Sequence, residues 1–301
     1  MIFSKRPLFY ITAGLLFFNW GYASGQIPRF DKERSFEYLK AQCRFGPRNP
    51  GSVGHKTCLE FLVNELEKSA DRVIRQPFFY ADPSTQKTYC LTNVIASFGK
   101  GKDGVLFCAH WDTRPWAESD PNPENRNKPI LGANDGASGV AVLLEVARIL
   151  KEHPPSCRVE LVLFDGEDSG TNGLAETWCL GSRYFAQNKK RRDHPRYAVL
   201  LDMVGDRDLS LPVEGNSIKF APDLVHRVWA NAERLHLTAF NRSFGPEVID
   251  DHLELLNVGI PAIDIIDFDY PDWHTLQDTE DKCSPESLEA VGTLLLHLIY
   301  E

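Results

Sequence analysis

The strongest constraint on the fold is an alternation of helical and strand patterns along the C-terminal part of the chain. Segments with apolar residues at helical spacing alternate with short apolar runs rich in β-branched residues. In chain order these segments cover residues 137–152, 158–164, 181–190, 197–204, 222–235, 260–266 and 285–300. Such alternation is typical of a mainly parallel sheet whose crossover helices cover both faces.

The N-terminal part adds two helical patterns and three strand patterns. They cover residues 30–44, 53–70, 72–80, 89–98 and 105–109. With no internal repeat and no linker in the sequence, we expect a single α/β domain over residues 26–301. Its central sheet is expected to be mixed and mainly parallel, with helices on both faces. Residues 99–104 match GxGxxG but precede a strand instead of a helix, so we expect a hairpin turn there.

Residues 1–25 have the pattern of a signal peptide. Lys5 and Arg6 precede a short, interrupted apolar run, and small residues follow near Gly25. A membrane anchor is the weaker interpretation, because the run is short and no basic stop-transfer cluster follows it. We therefore expect cleavage near Gly25, a secreted or periplasmic protein and no membrane anchor after cleavage. We also expect a monomer.

Charge and cysteine spacing exclude two classes of function. The formal net charge is −9, which disfavours nucleic-acid binding because proteins of that class usually carry a basic surface. The seven cysteines form no CxxC pair, so a cysteine-rich zinc site is not expected. Export would permit disulfides, and the sequence leaves their pairing open.

Acids and histidines directly follow several of the predicted strands. Ligands of open α/β sheets gather beyond the carboxyl ends of the strands, so these side chains are candidates for one common site. The groups are His110-Trp111-Asp112, Asp165-Gly166-Glu167-Asp168, Asp202 and Trp273-His274-Thr275, with Asn134-Asp135 before a helix and Asp250-Asp251-His252 before another. Any one of them alone is weak evidence, because acids are common at helix starts and Asp135 could be an ordinary N-cap.

Carboxylates and imidazoles without thiolates favour a catalytic metal over a structural one. Catalytic zinc takes nitrogen and oxygen ligands from three side chains and keeps one position open. A neighbouring carboxylate can then carry protons. The polar segment 111–134 is long for a connection within a compact domain, so we expect it to be a functional loop or a lid.

The chain resembles the animal-type glutaminyl cyclases, in particular their secreted bacterial members, which have the zinc-aminopeptidase-like fold. The resemblance runs from about residue 45 to the last helix. It depends on the groups named above together with Gly132-Ala133-Asn134-Asp135, Gly181-Ser182-Arg183, Leu200-Leu201-Asp202 and Ile249-Asp250-Asp251-His252.

This resemblance implies a zinc enzyme that converts the N-terminal glutamine of peptides and proteins into pyroglutamate with release of ammonia. One zinc ion would polarise the γ-amide, which the substrate's own α-amine attacks. The implied zinc ligands are Asp135, Asp168 and His274. The implied catalytic acids are Glu167, Asp202 and Asp250, with Glu167 as the proton carrier. The implied walls of the glutamine pocket are Trp178, Tyr270 and Trp273.

Two positions depart from the animal pattern. Asp168 stands where the animal members usually have a second glutamate, and Asp264 stands in the last core strand where they carry a histidine. The shorter Asp168 side chain must reach a metal from a slightly different backbone position. Asp264 adds one more acid near the site.

Two other functions stay open at this point. On the same fold, a two-zinc aminopeptidase would bind its second metal through His110 and Asp202, with Asp135 as the bridge. Trp273 and the 250–252 group favour the cyclase. A domain that has lost catalysis and binds peptides would be expected to lack Glu167 or a ligand, and all of them are present.

Overall fold

The computed structural model describes residues 27–83, 85–101, 103–171 and 173–301. The predicted signal peptide, residues 1–25, lies outside them. Among the described helices, none combines the length and the apolar character needed to cross a bilayer.

Six strands of the described chain form one mixed sheet. They are β1 (Arg72–Ala81), β2 (Thr88–Phe98), β3 (Gly104–His110), β4 (Arg158–Phe164), β5 (Ala198–Asp202) and β8 (Ala262–Ile266). Their spatial order is β1-β2-β4-β3-β5-β8. The pairs β4–β3, β3–β5 and β5–β8 are parallel, and the two pairs that involve β2 are antiparallel. The predicted mixed, mainly parallel sheet is therefore confirmed.

Helices cover both faces of this sheet, as predicted. The helices of the described chain are α1 (Lys32–Cys43), α2 (Val53–Glu67), α3 (Ser138–Glu152), α4 (Leu180–Asn188), α5 (Gly215–Phe220), α6 (Pro222–Arg234), α7 (Asp251–Asn257) and α8 (Pro285–Tyr300). One face packs into a large apolar core with α1, α2, α3, α6 and α8, and the other into a smaller core with α4 and α7. Alternate residues of the buried strands contribute to the two cores, as the twofold repeat of a strand requires.

The hairpin expected at residues 99–104 is wrong. Strands β2 and β3 are not paired, because β4 lies between them and pairs with both. Sequence neighbours pair often enough to make a hairpin the default expectation, but this pairing is decided by packing across the sheet. The sequence patterns also missed α5 and a small two-stranded sheet of β6 (Leu211–Val213) and β7 (Phe240–Phe244).

The parallel strands bring their carboxyl ends to one edge of the sheet. Strand β3 ends at His110, β5 ends at Asp202, and residues 165–168 follow β4 directly. Because β4, β3, β5 and β8 are neighbours with the same direction, the polar side chains after them share one small region. This region is the crevice in which ligands of open α/β sheets are expected.

Gly139 lets the first turn of α3 approach this edge. A Cβ at this position would lie 2.4 Å from the carbonyl oxygen of Leu201 and 2.9 Å from Cβ of Ala109. We predict that Gly139→Ala lowers the free energy of unfolding by about 1–3 kcal/mol, because α3 must move away from β5. Urea denaturation measures the change. An unchanged midpoint would mean that the contact is not tight.

Candidate active site

A buried cluster of acids and histidines occupies the carboxyl edge of the sheet. All of its members are buried except Asp202, which is partly exposed. The acids are Asp112, Asp135, Glu167, Asp168, Asp202, Asp250, Asp251, Asp264 and Asp278, and the histidines are His110, His252 and His274. So many acids can be buried together only if cations or protons balance their charge.

Asp135, Asp168 and His274 form the group that best fits one metal ion. One ligand atom from each lies within 4.8 Å of the others. Nε2 of His274 is 3.3 Å from Oδ1 of Asp168 and 3.5 Å from Oδ2 of Asp135. Both carboxyl oxygens of Asp168 are buried without a hydrogen-bond partner. Two carboxylates and one imidazole are a donor set that suits catalytic zinc.

The pKa shifts within this group show how strongly its charges interact. Burial raises the pKa of Asp168, and the charge of Asp135 raises it further, to about 6. Burial opposes protonation of His274, but Asp168, Glu118 and Asp135 outweigh it and raise the pKa of His274 to about 10. A divalent cation that replaces the imidazolium proton would relieve the same repulsion between the two carboxylates.

His110 lies between two of the acids. Its Nε2 is 3.1 Å from Oδ1 of Asp202 and 3.2 Å from Oδ1 of Asp135. Burial opposes protonation, but bonds to Asp112, Asp135 and Asp202 raise the pKa of His110 well above its usual range. Ligand atoms of His110, Asp135 and Asp202 also lie within 4.8 Å of one another, so these side chains form a second group that could hold a metal ion.

Glu167 stands next to the metal group without belonging to it. Burial raises the pKa of Glu167 well above the usual range, and the charges of Asp168, Asp250 and Asp251 add to the shift. Its backbone N–H donates to Oδ1 of Asp112 at 3.1 Å. The backbone therefore holds Glu167 in place, and its carboxyl group keeps its proton to a higher pH than an exposed glutamate does.

A second group of acids continues behind Glu167. Ligand atoms of Asp250, His252 and Asp264 lie within 4.8 Å of one another, and within the described part of the chain no hydrogen-bond partner reaches either oxygen of Asp264. Burial raises the pKa of Asp250, and the charge of Asp202 helps to bring it to about 6. Burial also raises the pKa of Asp264 well above its usual range, and Asp250 adds the largest charge effect. Asp250 and Asp264 can therefore share a proton.

An apolar cavity of about 480 Å³ adjoins the acids. Its walls include Trp178, Val248, Ile249, Phe268 and Trp273. The ring of Trp273 lies 3.9 Å from the imidazole of the adjacent His274, and Trp178 lies parallel to the same imidazole at 6.5 Å. The metal group therefore borders a cavity whose aromatic walls suit an uncharged aliphatic side chain.

Tyr270 occupies a different place from the two tryptophans. It is buried among Met203, Val248 and Ile266, and it is not part of the cavity wall. Its hydroxyl donates to Oδ1 of Asp278 at 2.9 Å. The contacts of Tyr270 therefore indicate support of the metal loop more than contact with a substrate.

Three charged residues of the site were missed by the sequence patterns. They are Arg114, Glu118 and Asp278. Asp278 accepts the backbone N–H groups of Asn134 and Asp135, at 2.8 and 3.1 Å. Because Asp278 holds this turn, the carboxylate of Asp135 is free to face the cluster. The N-cap residue of α3 is Ala137, and no side chain of the described residues caps this helix. The ordinary N-cap role for Asp135 is therefore wrong.

Arg114 and Glu118 lie in segment 111–134, which packs into the site. In the same segment Asp112, which the strand-end pattern did predict, accepts the N–H groups of Glu167 and Asp168 and is fully buried, as is Arg114. For Arg114 and Glu118, polarity in a long loop was the only signal in the sequence. The expectation of a functional loop gains support from these contacts.

Strained backbone conformations gather at the same edge. Cys179, Met203 and His274 have φ values of 54°, 47° and 54°, in the left-handed region that residues other than glycine rarely adopt. The thiol of Cys179 is 3.7 Å from Oε1 of Glu167. Strain of this kind persists where surrounding contacts enforce it, as is common at active sites.

All seven cysteines lie in the described residues as free thiols.

The sequence pattern of peptidase family M28 matches residues 93–299. This match covers most of the sheet and all of the candidate metal ligands. The chain belongs to peptidase family M28.

Relatives of the chain within this family carry two different names. A crystal structure of Bacteroides thetaiotaomicron glutaminyl cyclase bound to N-acetylhistamine is 36% identical, with a TM-score of 0.88 over 92% of this chain and 99% of that one. A leucine aminopeptidase precursor from Bacteroides thetaiotaomicron is also 36% identical, with a TM-score of 0.89 and the same coverage. The glutaminyl-peptide cyclotransferase of Bos taurus is 23% identical over 297 residues, 84% of this chain and 77% of the relative.

These comparisons confirm the resemblance that the sequence motifs suggested. The chain is similar to bacterial glutaminyl cyclases, and their zinc-aminopeptidase-like fold is the fold of this chain. One structure named a glutaminyl cyclase and one named a leucine aminopeptidase precursor are both 36% identical to this chain. The choice between the two activities therefore depends on the chemistry of the site.

Asp264 allows a test of the charge within the acid cluster. Its pKa in the folded protein lies above the value of about 3.9 in an unfolded chain. The folded form therefore binds more protons between these two values, and stability falls as pH rises through this window. We predict that Asp264→Asn is tolerated and becomes increasingly more stable than the wild type between about pH 4 and pH 7.

Urea denaturation across this pH range measures the difference, with the exposed Asp208→Asn as the control. Parallel stability curves for the wild type and Asp264→Asn would contradict a raised pKa for Asp264.

Proposed function

We propose that the chain is a zinc-dependent glutaminyl cyclase that converts the N-terminal glutamine of peptides and proteins into pyroglutamate and ammonia. The observation that carries this proposal is the contact of one metal group, Asp135, Asp168 and His274, with both an apolar aromatic cavity and a set of proton-sharing acids. The glutaminyl cyclases among its relatives support the same activity.

One zinc ion is proposed, held by Asp135, Asp168 and His274. When bound, zinc supplies a Lewis acid that polarises the γ-carboxamide of the substrate. The buried oxygens of Asp168 support this ligand assignment, because no hydrogen bond from the described residues satisfies them and their nearest cation is the imidazole of His274.

Trp178 and Trp273 are proposed to hold the glutamine side chain. Both rings line the same cavity and lie near the imidazole of His274, so a side chain held against them would have its amide close to the metal group. Close aromatic walls also exclude water, which would otherwise compete with the amine for the amide carbon. Tyr270 acts indirectly in this proposal, by holding Asp278 and through it Asp135.

Glu167 is proposed to move the proton. The α-amine nitrogen forms a bond to the γ-carbonyl carbon, the bond from that carbon to the amide nitrogen breaks, and a five-membered ring closes. Glu167 accepts one proton from the attacking nitrogen and returns it to the departing nitrogen, so that ammonia leaves. Both reacting groups belong to one bound residue, and this proximity removes much of the entropic barrier.

Asp202 and Asp250 are proposed to keep Glu167 able both to accept a proton from the attacking nitrogen and to return it to the departing nitrogen. Their charges and the burial of the site raise the pKa values of this group, so that a proton is shared among the acids near neutral pH. A group whose pKa lies near the working pH is the most effective proton carrier.

A two-zinc aminopeptidase is the second candidate. His110, Asp135 and Asp202 meet the distances for a second metal, and a leucine aminopeptidase precursor is among the similar structures. The ring of Trp273 against His274 and the buried acids Asp250 and Asp264 behind Glu167 favour the cyclase, because a closed apolar wall limits the water that a peptidase needs.

The cell compartment and the assembly are also proposals. We propose an exported, monomeric enzyme without a membrane anchor that acts on secreted or periplasmic peptides with N-terminal glutamine. The pattern of residues 1–25 supports export.

Activity on two peptides tests the proposed function. We predict that purified protein releases ammonia from a peptide that begins with glutamine and leaves a peptide that begins with leucine intact. Glu167→Gln should lower kcat about 10²–10⁴-fold, because it removes the proton carrier. Ammonia assays and product mass measure both effects.

Glu160→Gln is the matched control, because Glu160 lies in β4, the strand that precedes Glu167, and is paired with Lys189 away from the site. Release of free leucine or of intact glutamine would instead assign the chain as an aminopeptidase.

A further inference from the structure

Arg114 and Glu118 link the metal group to the cavity wall, and neither has a role in the proposed reaction. Both belong to segment 111–134. Arg114 is 1% exposed although it carries a permanent charge. A buried guanidinium is costly unless its N–H groups are paired, so its partners indicate what it is there to hold.

Glu118 bonds to the imidazole nitrogen of His274 that faces away from the other ligands. Nδ1 of His274 lies 3.1 Å from Oε1 of Glu118, whereas Nε2 faces Asp168 and Asp135. An ionised carboxylate only accepts hydrogen bonds, so Nδ1 must carry the hydrogen. This leaves the lone pair of Nε2 directed at the metal position.

Arg114 holds Glu118 in this position. Its Nε and Nη2 donate to Glu118 at 2.9 and 2.7 Å, which is a two-point contact with one carboxylate. Its Nη1 donates to the backbone oxygens of Asp168 and Gly170 at 2.9 and 2.7 Å. One guanidinium therefore connects the segment that carries Asp168 with the carboxylate that orients His274.

The same guanidinium also supports the cavity wall. It lies between the rings of Trp116 and Trp178, 4.7 and 4.5 Å from their centroids. A Cβ on Gly170 would come within 2.0 Å of the Trp178 ring, so the glycine leaves room for the indole beside Arg114. A lysine could supply the charge but neither the flat stacking surface nor the two-point contact.

The backbone of segment 111–134 reinforces this link. The N–H of Ser119 donates to the carbonyl oxygen of His274 at 3.1 Å, and Asp120 accepts the N–H of Leu276 at 3.1 Å. His274 adopts a left-handed conformation with a φ of 54°, which such contacts must enforce. The loop therefore holds both the ring and the backbone of His274.

We propose that Arg114 and Glu118 are positioning residues that form one clamp: Glu118 sets the affinity of the metal site through His274, and Arg114 couples that site to the Trp178 wall of the glutamine pocket. The proposal rests on the proposed function for the presence of zinc and for the role of Trp178. Neither residue touches the substrate.

Two variants separate the parts of the clamp. Glu118→Gln keeps the size of the side chain but no longer offers a carboxylate, so it should raise the Kd for zinc about 10–100-fold. Its KM for a glutamine peptide at saturating zinc should stay within about twofold, because Trp178 keeps its support from Arg114. Arg114→Lys should raise both the zinc Kd and the KM.

Gly170→Ala provides a reference for damage to the wall alone, because it crowds Trp178 without touching Glu118. It should raise KM and leave the zinc Kd unchanged. Glu145→Gln is the matched control, since Glu145 is a buried acid with a two-point contact to Arg148 far from the site, in α3. It should change neither quantity.

Zinc affinity is measured by competition with a chromogenic chelator, on protein whose folding is checked by circular dichroism. An unchanged zinc Kd in Glu118→Gln, or an equal loss in Glu145→Gln, would overturn the clamp. If Arg114→Lys does not fold, the zinc Kd of Glu118→Gln still decides. Because chelator competition needs no substrate, wild-type protein that binds zinc but forms no pyroglutamate would refute the proposed function and leave the metal part of the clamp intact.

Discussion

Mutual repulsion among buried carboxyl groups is the constraint on which the rest of the site depends. The parallel strands β4, β3, β5 and β8 end at one edge, and this topology brings acids from distant parts of the chain together. Desolvation makes each charge more costly, and each neighbour adds to the cost. This negative charge is balanced by imidazoles, by protons shared among the acids and by a donor set that suits a divalent cation. The chemistry proposed for the site uses the same shared protons and the same donor set.

Two acids in sequence illustrate how backbone placement divides the roles. Glu167 and Asp168 both follow β4, and Asp112 accepts the N–H groups of both. Asp168 nevertheless faces His274 and Asp135, whereas Glu167 faces the acids Asp250 and Asp251. One turn thus presents a metal ligand on one side and a proton carrier on the other.

Local sequence patterns predicted the regular elements well and the long-range pairings poorly. Strand β4 and helix α8 were predicted at their observed bounds, because strong apolar periodicity specifies both. The place of β4 between β2 and β3 was not predicted, since strand order is decided by packing over the whole sheet. Helix α5 and the β6–β7 sheet are short and carry weak periodicity. Predicted strand ends collected Glu167, Asp168, Asp202 and His274 as candidates for one site, and the predicted start of a helix added Asp135.

The supporting residues were beyond the reach of sequence patterns. Asp278, Arg114 and Glu118 lie in polar loops, where charged residues are ordinary, and only their burial shows that they support the site. Resemblance alone placed Tyr270 on the pocket wall. In the structure its hydroxyl instead donates a hydrogen bond to Asp278. Side chains that act through others leave little trace in a single sequence, because their role is defined by contacts and not by position along a strand.

The proposed mechanism depends most on the occupancy of this cluster by one metal ion, held by Asp135, Asp168 and His274, while His110 shares a hydrogen bond with Asp202. Zinc content measured after saturation and removal of free metal tests this occupancy most directly. We predict one zinc ion per chain. Two zinc ions per chain would contradict the prediction, because His110, Asp135 and Asp202 would then hold the second metal of an aminopeptidase.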